Sequence, residues 1–177
     1  TSQTDERGKT TTSVIDPASG LTLSTTDANG NTTTYTYDSA SQLMLSAASG
    51  GTTISYGYDA YKRLSSITHN GFSYNFAYDK FGNASSVKVG SQTLVSYTYG
   101  ANNGDLLNQT YGNGDVVSYT YDTYGRTTGI SINGAEKYSA IYNAKGQVAE
   151  QNDLAVNRKT EYTYDISGNL VRVCQPG

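Results

Sequence analysis

Tyr119-Thr120-Tyr121-Asp122-Thr123-Tyr124-Gly125-Arg126 decides the fold, because it keeps returning along the chain. Its first four positions recur as Tyr35-Thr36-Tyr37-Asp38, Tyr56-Gly57-Tyr58-Asp59 and Phe76-Ala77-Tyr78-Asp79. They recur again as Tyr97-Thr98-Tyr99-Gly100 and Tyr162-Thr163-Tyr164-Asp165, with a weaker copy at Ala140-Ile141-Tyr142-Asn143. The fourth position falls at 38, 59, 79, 100, 122, 143 and 165, so each step is 20–22 residues. A period of this length marks one supersecondary unit stacked many times.

The second half of the stretch is turn chemistry. Asp79-Lys80-Phe81-Gly82-Asn83, Asp122-Thr123-Tyr124-Gly125-Arg126 and Asp165-Ile166-Ser167-Gly168-Asn169 share the form D-x-x-G-[NR], and Asn143-Ala144-Lys145-Gly146 matches with Asn for Asp. A leading Asp or Asn bonds nearby backbone N–H groups, and Gly takes φ > 0 without a Cβ clash. Ser41 and Lys62 stand where glycine is expected, which predicts either a strained turn or another turn shape. Residues 1–37 are less regular and show Asp5, Asp16, Asp27 and Asp38 at an 11-residue half-period. Asn70-Gly71 and Asn133-Gly134 read as two-residue hairpin turns, and Gly50-Gly51, Gly90-Ser91 and Gly112-Asn113-Gly114 occupy the matching places. Each unit is therefore expected to be a β-hairpin, joined to the next by a D-x-x-G turn.

Strand side chains alternate, so Val95, Tyr97 and Tyr99 share a face, as do Val117, Tyr119 and Tyr121. Phe72, Tyr74, Phe76 and Tyr78 form one row; Val87 with Val89 and Ile130 with Ile132 supply the answering strands, while Thr, Ser, Asn and Lys fill the other face. Tyr97, Tyr99, Tyr119 and Tyr121 are expected to be buried in this ladder. The composition agrees: 17 Tyr, no Trp, 19 Gly and 2 Pro, with 36% hydrophobic residues, form a strand-and-turn mixture. A net charge of −3 and a pI near 5.0 argue against nucleic acid as a partner. No apolar run approaches the length of a membrane-spanning helix. The chain starts at Thr1 with no signal peptide, which predicts a piece of something longer.

No constellation of catalytic residues stands out, so no catalytic, cofactor-binding or metal residue is assigned and no enzyme activity or cofactor is expected. Asp38, Asp59, Asp79, Asp122 and Asp165 are expected along one sheet edge at roughly 10 Å intervals. Paired carboxylates can hydrolyse glycosides, but repetition makes these environments alike, so turn capping is the reading. Asp27-Ala28-Asn29-Gly30-Asn31 has oxygen ligands at calcium-loop spacing, yet Thr32 stands where such a loop needs Gly, and an Asn-Gly turn is the plainer reading. His69 has no second histidine, Cys174 has no partner cysteine, and the sequons at Asn31, Asn83 and Asn108 arise readily in a Ser- and Thr-rich chain.

On the copies at residues 119–126 and 162–170, the chain resembles the YD repeats of bacterial Rhs and wall-associated proteins and of teneurins, and the resemblance spans residues 5–173. It implies a long β-ribbon that spirals into a hollow shell, which in bacterial toxins encloses a C-terminal toxic domain. The segment used for self-cleavage in bacterial shells is absent, so autoproteolysis is not expected. The fold class expected is all-β, an antiparallel β-hairpin repeat array in a curved, spiralling sheet. Residues 1–177 form a single array of seven or eight units, too few to enclose a cavity alone. The expected function is structural, a segment of a secreted or cell-surface shell that encapsulates or presents a C-terminal toxin or effector. Its partners would be the rest of that shell and the enclosed domain, with edge-to-edge self-association through unpaired end strands. The alternative is a carbohydrate-binding or adhesive surface, should the tyrosines face solvent.

Overall fold

The structure is a computed structural model that describes residues 1–176. Those residues form seventeen β-strands and no helix. The chain divides into two compact units, Thr1–Gln92 and the remainder from Thr93 on. The first contains β1 (Ser2–Thr4), β2 (Thr10–Ile15), β3 (Thr22–Thr26), β4 (Thr32–Tyr37), β5 (Met44–Ser49), β6 (Thr52–Tyr58), β7 (Leu64–His69), β8 (Phe72–Tyr78) and β9 (Ala84–Val89). The second follows with β10 (Gln92–Tyr99), β11 (Leu106–Tyr111), β12 (Val116–Tyr121), β13 (Thr127–Ile132), β14 (Ala135–Tyr142), β15 (Val148–Asp153), β16 (Arg158–Tyr164) and β17 (Leu170–Cys174). Within each unit every strand pairs antiparallel with its sequence neighbours. The all-β hairpin-repeat fold is thus as read from the sequence.

The two turn classes are also as expected, with differences of detail. Asn70-Gly71 and Asn133-Gly134 take positive φ at both positions, as a type I′ turn requires, and Gly50-Gly51 does the same. In the D-x-x-G turns, Gly125 N–H donates to Asp122 C=O at 3.1 Å and Asp122 N–H to Arg126 C=O at 3.0 Å. Lys62 adopts the left-handed φ of +64° in glycine's place. The Asp38 turn is one residue longer, so that Gln42 and not Ser41 takes the left-handed φ, at +60°, and Asp38 N–H reaches Leu43 C=O. The Asp16 and Gly100 turns are lengthened in the same way. Gly112-Asn113-Gly114 is not a two-residue tip. Gly114 N–H bonds Tyr111 C=O and Tyr111 N–H bonds Asp115 C=O, so this segment is another D-x-x-G-like turn with Tyr in first place. The Asp27 segment is built likewise, which explains the 11-residue half-period: there both ends of a hairpin carry this turn.

Side-chain alternation is realised in the register. Tyr119 faces Ile130, Val117 faces Ile132, Phe76 faces Val87 and Tyr74 faces Val89. Cross-strand pairs of this kind contribute about 0.2–1 kcal/mol each over alanine. The opposite face is a lattice of small polar groups: Thr36 Oγ1 meets Ser46 Oγ at 2.7 Å, and Asn108 links Thr98 and Ser118. Within each unit strands touch only their sequence neighbours, so the sheet is one layer thick. The expectation that Tyr97, Tyr99, Tyr119 and Tyr121 are buried is therefore corrected to half-buried, because no second layer covers their rings. Among the described residues only Gly129 and Ala140 are buried.

Candidate functional site

The chemically distinctive part of the molecule is the rim formed by the D-x-x-G turns, and a recurrent bulge creates it. Where β4 turns into β5, Thr36 pairs with Ser46 but Tyr37 pairs with Met44, so Leu45 is extra. The same shift occurs at Tyr58, Tyr78, Tyr99, Tyr121, Tyr142 and Tyr164. On the other side of each return strand the ladder stops short. β7 pairs with β8 only as far as Ser66 and Asn75, leaving the Leu64 carbonyl outside the ladder. A bulge kinks a strand and strengthens its twist, which separates neighbouring turns.

In the copies that end at Tyr37, Tyr58, Tyr78, Tyr121, Tyr142 and Tyr164, that last tyrosine fills the opening. Tyr78 O–H donates to Leu64 C=O at 2.7 Å, and Tyr58 O–H to Met44 C=O at 2.8 Å. Tyr37, Tyr121, Tyr142 and Tyr164 donate in the same manner to the carbonyls of Thr22, Leu106, Thr127 and Val148. Each hydroxyl thus closes the gap between one unit and the exit of the preceding turn. Apolar patterning identified these residues by their rings; the phenol oxygen carries a role that alternation alone does not reveal.

The fifth position of D-x-x-G-[NR] has a role as well. Asn83 and Asn169 donate their side-chain amides to Asp79 Oδ2 and Asp165 Oδ2, while Oδ1 of each Asp accepts the backbone N–H of the same asparagine. In two copies arginine replaces the amide. Arg63 Nε bonds Asp59 Oδ2 at 2.7 Å, and the Arg63 guanidinium lies 4.3 Å from the Tyr78 ring centroid and 5.0 Å from that of Tyr61. Arg126 bonds Asp122, with its guanidinium 4.4 Å from Tyr142 and 5.1 Å from Tyr124. Successive turns touch through these residues: Gln147 donates to Gly168 C=O at 2.7 Å, and a Cβ on Gly146 would stand 3.0 Å from Arg126 Nη1. Glycine there satisfies both a φ of +82° and a close approach.

The carboxylates singled out in the sequence all cap their own turns. The Arg126 side-chain bond holds the Asp122 carboxyl below the usual range, and the Asn169 amide does so for Asp165. Ser41 has this effect on Asp38. At Asp59 and Asp79 desolvation pushes upward, but hydrogen bonds from Arg63 and Asn83 outweigh it. Asp27 gives both oxygens to its turn, to the N–H groups of Asn29 and Asn31 and the amide of Asn31. The segment is thus a turn, but a D-x-x-G turn headed by Asp27 and not the two-residue Asn-Gly tip expected, since only Gly30 takes positive φ, while Asp38 serves a different turn. His69 lies on β7 opposite Phe72, and Cys174 ends β17.

Two clefts open between successive rim turns. One, of about 460 Å³, lies between the Asp16 and Asp38 turns; the other, of about 400 Å³, lies between the Asp38 and Asp59 turns. The rim also displays Tyr61, Phe81 and Tyr124, each more than two-thirds exposed, at the third turn position.

Comparison with known proteins places this geometry. No curated protein matches the sequence. Among solved structures the chain is similar to the crystal structure of TcdB2-TccC3-Cdc42, with a TM-score of 0.74 and 17% identity over 98% of this chain and 10% of that one. It is similar to TcdB2-TccC3, with a TM-score of 0.73 and 17% identity over 95% and 10% of the two chains. TcdB2-TccC3 without its hypervariable C-terminal region gives 0.71 and 18% over 94% and 10%. The chain spans about a tenth of the length of these proteins, and the likeness is one of fold. Residues 16–50 match the RHS repeat family. That match begins at the Asp16 turn and takes in the Asp27 and Asp38 turns with the tyrosines between them, so within residues 16–50 these turns and tyrosines are those of an RHS repeat.

Proposed function

We propose that the chain is a wall segment: one continuous array of YD repeats in a secreted or cell-surface shell that encapsulates or presents a C-terminal toxin or effector. The observation that carries this reading is the single-layer sheet, which leaves an aromatic face and a polar face both uncovered within each unit. A wall needs lateral continuity and two surfaces, and this sheet obtains its stability from ladders and rim bonds with almost no buried core. Likeness in fold to a tenth of the TcdB2-TccC3 chains supports the same reading. The chain's role is mechanical, and its partners are adjoining repeats and the enclosed domain.

The test is protease protection of the domain that follows the repeats in the full-length parent. Deleting one or two 21-residue units from this segment is expected to open the wall and speed cleavage of that domain, with the domain's own fold unchanged. Equal protection with and without the units would overturn the reading. A second reading, a carbohydrate-binding surface, is favoured by the exposed rings of Tyr61, Phe81 and Tyr124. Binding to a glycan array that is saturable, and lost in the Tyr61→Ala/Phe81→Ala variant with its fold intact, would establish it; no binding would dismiss it.

A further inference from the structure

We propose that Asn70 is a site of spontaneous covalent modification, where the chain converts an asparaginyl-glycyl link into an aspartyl or isoaspartyl one. The inference comes from a contrast among five Asn-Gly pairs, Asn29-Gly30, Asn70-Gly71, Asn103-Gly104, Asn113-Gly114 and Asn133-Gly134. In each, the glycine has no side chain to shield its backbone nitrogen. In the reaction the Gly71 nitrogen gives its proton to water and attacks Asn70 Cγ. An N–Cγ bond forms, the Cγ–Nδ2 bond breaks, and the amide nitrogen takes up a proton and leaves as ammonia. Water then opens the cyclic imide at either carbonyl. Opening at the Asn70 main-chain carbonyl leaves the backbone running through the former side chain, one carbon longer. Both the side-chain amide and the glycine N–H must therefore be available.

Four of the pairs have at least one of these groups engaged. Gly30 N–H donates to Asp27 C=O at 3.0 Å, Gly104 N–H to Gly100 C=O at 3.0 Å and Gly114 N–H to Tyr111 C=O at 2.9 Å. The Asn103 and Asn113 amides are held as well, donating to Asp105 and Asp115. Asn133-Gly134 is the matched comparison for Asn70-Gly71. Both are exposed two-residue tips, with φ of +51° and +79° in one and +47° and +78° in the other. The cost of leaving that left-handed conformation to reach attack geometry is thus common to the two. Their side chains differ. Asn133 Oδ1 accepts Val116 N–H at 2.8 Å, and its Nδ2 donates to Asp115 Oδ1 at 2.8 Å. Among the described residues, neither the Asn70 amide nor the Gly71 N–H has a hydrogen-bond partner. The last ladder pair beneath Asn70 is His69 with Phe72, so only the tip has to open locally.

The experiment incubates the full chain, folded and in guanidinium chloride, in mildly alkaline buffer made with heavy-oxygen water. Peptide mapping by mass spectrometry then follows label uptake at each pair. In the folded chain Asn70 should take up label first, about tenfold faster than Asn133, the factor expected when two hydrogen bonds must break before the Asn133 amide can turn. In guanidinium chloride this order should collapse, because every pair then has the same local chemistry. Asp115→Ala removes one of the two Asn133 bonds and should speed that site about threefold while leaving Asn70 unchanged. Equal folded rates at Asn70 and Asn133, another pair leading, the same order kept in guanidinium chloride, or an Asn133 rate unmoved by Asp115→Ala would each overturn the proposal. Should Asp115→Ala fail to fold, the comparison of folded and unfolded rates decides.

Discussion

Replacing Tyr78 with Phe removes one oxygen and leaves the ring, its packing and its stacking with Arg63. What disappears is the 2.7 Å hydrogen bond to Leu64 C=O, an acceptor that lies beyond the last β7–β8 ladder pair. An intramolecular hydrogen bond is worth about 0.5–1.5 kcal/mol net, and a fully buried orphan acceptor costs about 1–3 kcal/mol. Leu64 is only half-buried, so water can partly replace the phenol, and the expected loss is about 1 kcal/mol. In urea this should move the unfolding midpoint with no change in slope. The control is Tyr61→Phe, whose side chain is 80% exposed and should shift the midpoint by less than about 0.5 kcal/mol equivalent. Hydrogen exchange localises the effect, with faster exchange expected at residues 63–66 and 76–79. If Tyr78→Phe matches Tyr61→Phe in both measurements, the phenol is not a latch and the reasoning fails.

Gly146→Ala combines a left-handed φ of +82° with a Cβ 3.0 Å from Arg126 Nη1, whereas Gly30→Ala at φ +87° meets nothing within 4 Å. Both should destabilise by about 1–2 kcal/mol from backbone strain, with the larger loss at Gly146, and thermal melts check the order. Lys62→Gly relieves a φ of +64° in an exposed turn residue and should raise stability by up to about 1 kcal/mol in the same assay. The carboxyls of Asp27, Asp38, Asp122 and Asp165 titrate below their usual range when folded. Their contribution is therefore complete above about pH 4, the unfolded value, and lost as pH falls through the folded values. Denaturation midpoints measured from pH 7 to pH 2.5 should fall only at the acid end, and the fall should be shallower in Asp122→Asn.

Much of this architecture is legible in the sequence because its causes are local. Strand alternation assigns Val117, Tyr119 and Tyr121 to one face whatever surrounds them, and Asp followed by Gly at the fourth place encodes a turn by its own hydrogen bonds. Reading becomes ambiguous where one residue type serves two geometries. Gly112-Asn113-Gly114 contains the Asn-Gly of a two-residue tip, yet ladder register makes it a longer turn headed by Tyr111. The lengthened Asp38 turn is similar, since only the bond from Asp38 to Leu43 C=O shows that Gln42, not Ser41, takes the left-handed place. The tyrosine hydroxyl latches, the stacking of Arg63 and Arg126 on Tyr78 and Tyr142, and the bond from Gln147 to Gly168 depend on contacts 14–21 residues apart, which alternation does not encode. Whether the tyrosines are covered depends on what packs against the sheet, and composition is silent on that.

The most direct test of the sheet standing as a single layer, held by ladders and rim latches, is residue-resolved hydrogen exchange on the isolated chain. Slow exchange is expected for the ladder amides of β4–β8 and β11–β16, with the end strands β1 and β17 fastest, even though the aromatic face is open to solvent. Fast exchange throughout, with protection appearing only when another layer covers that face, would contradict it.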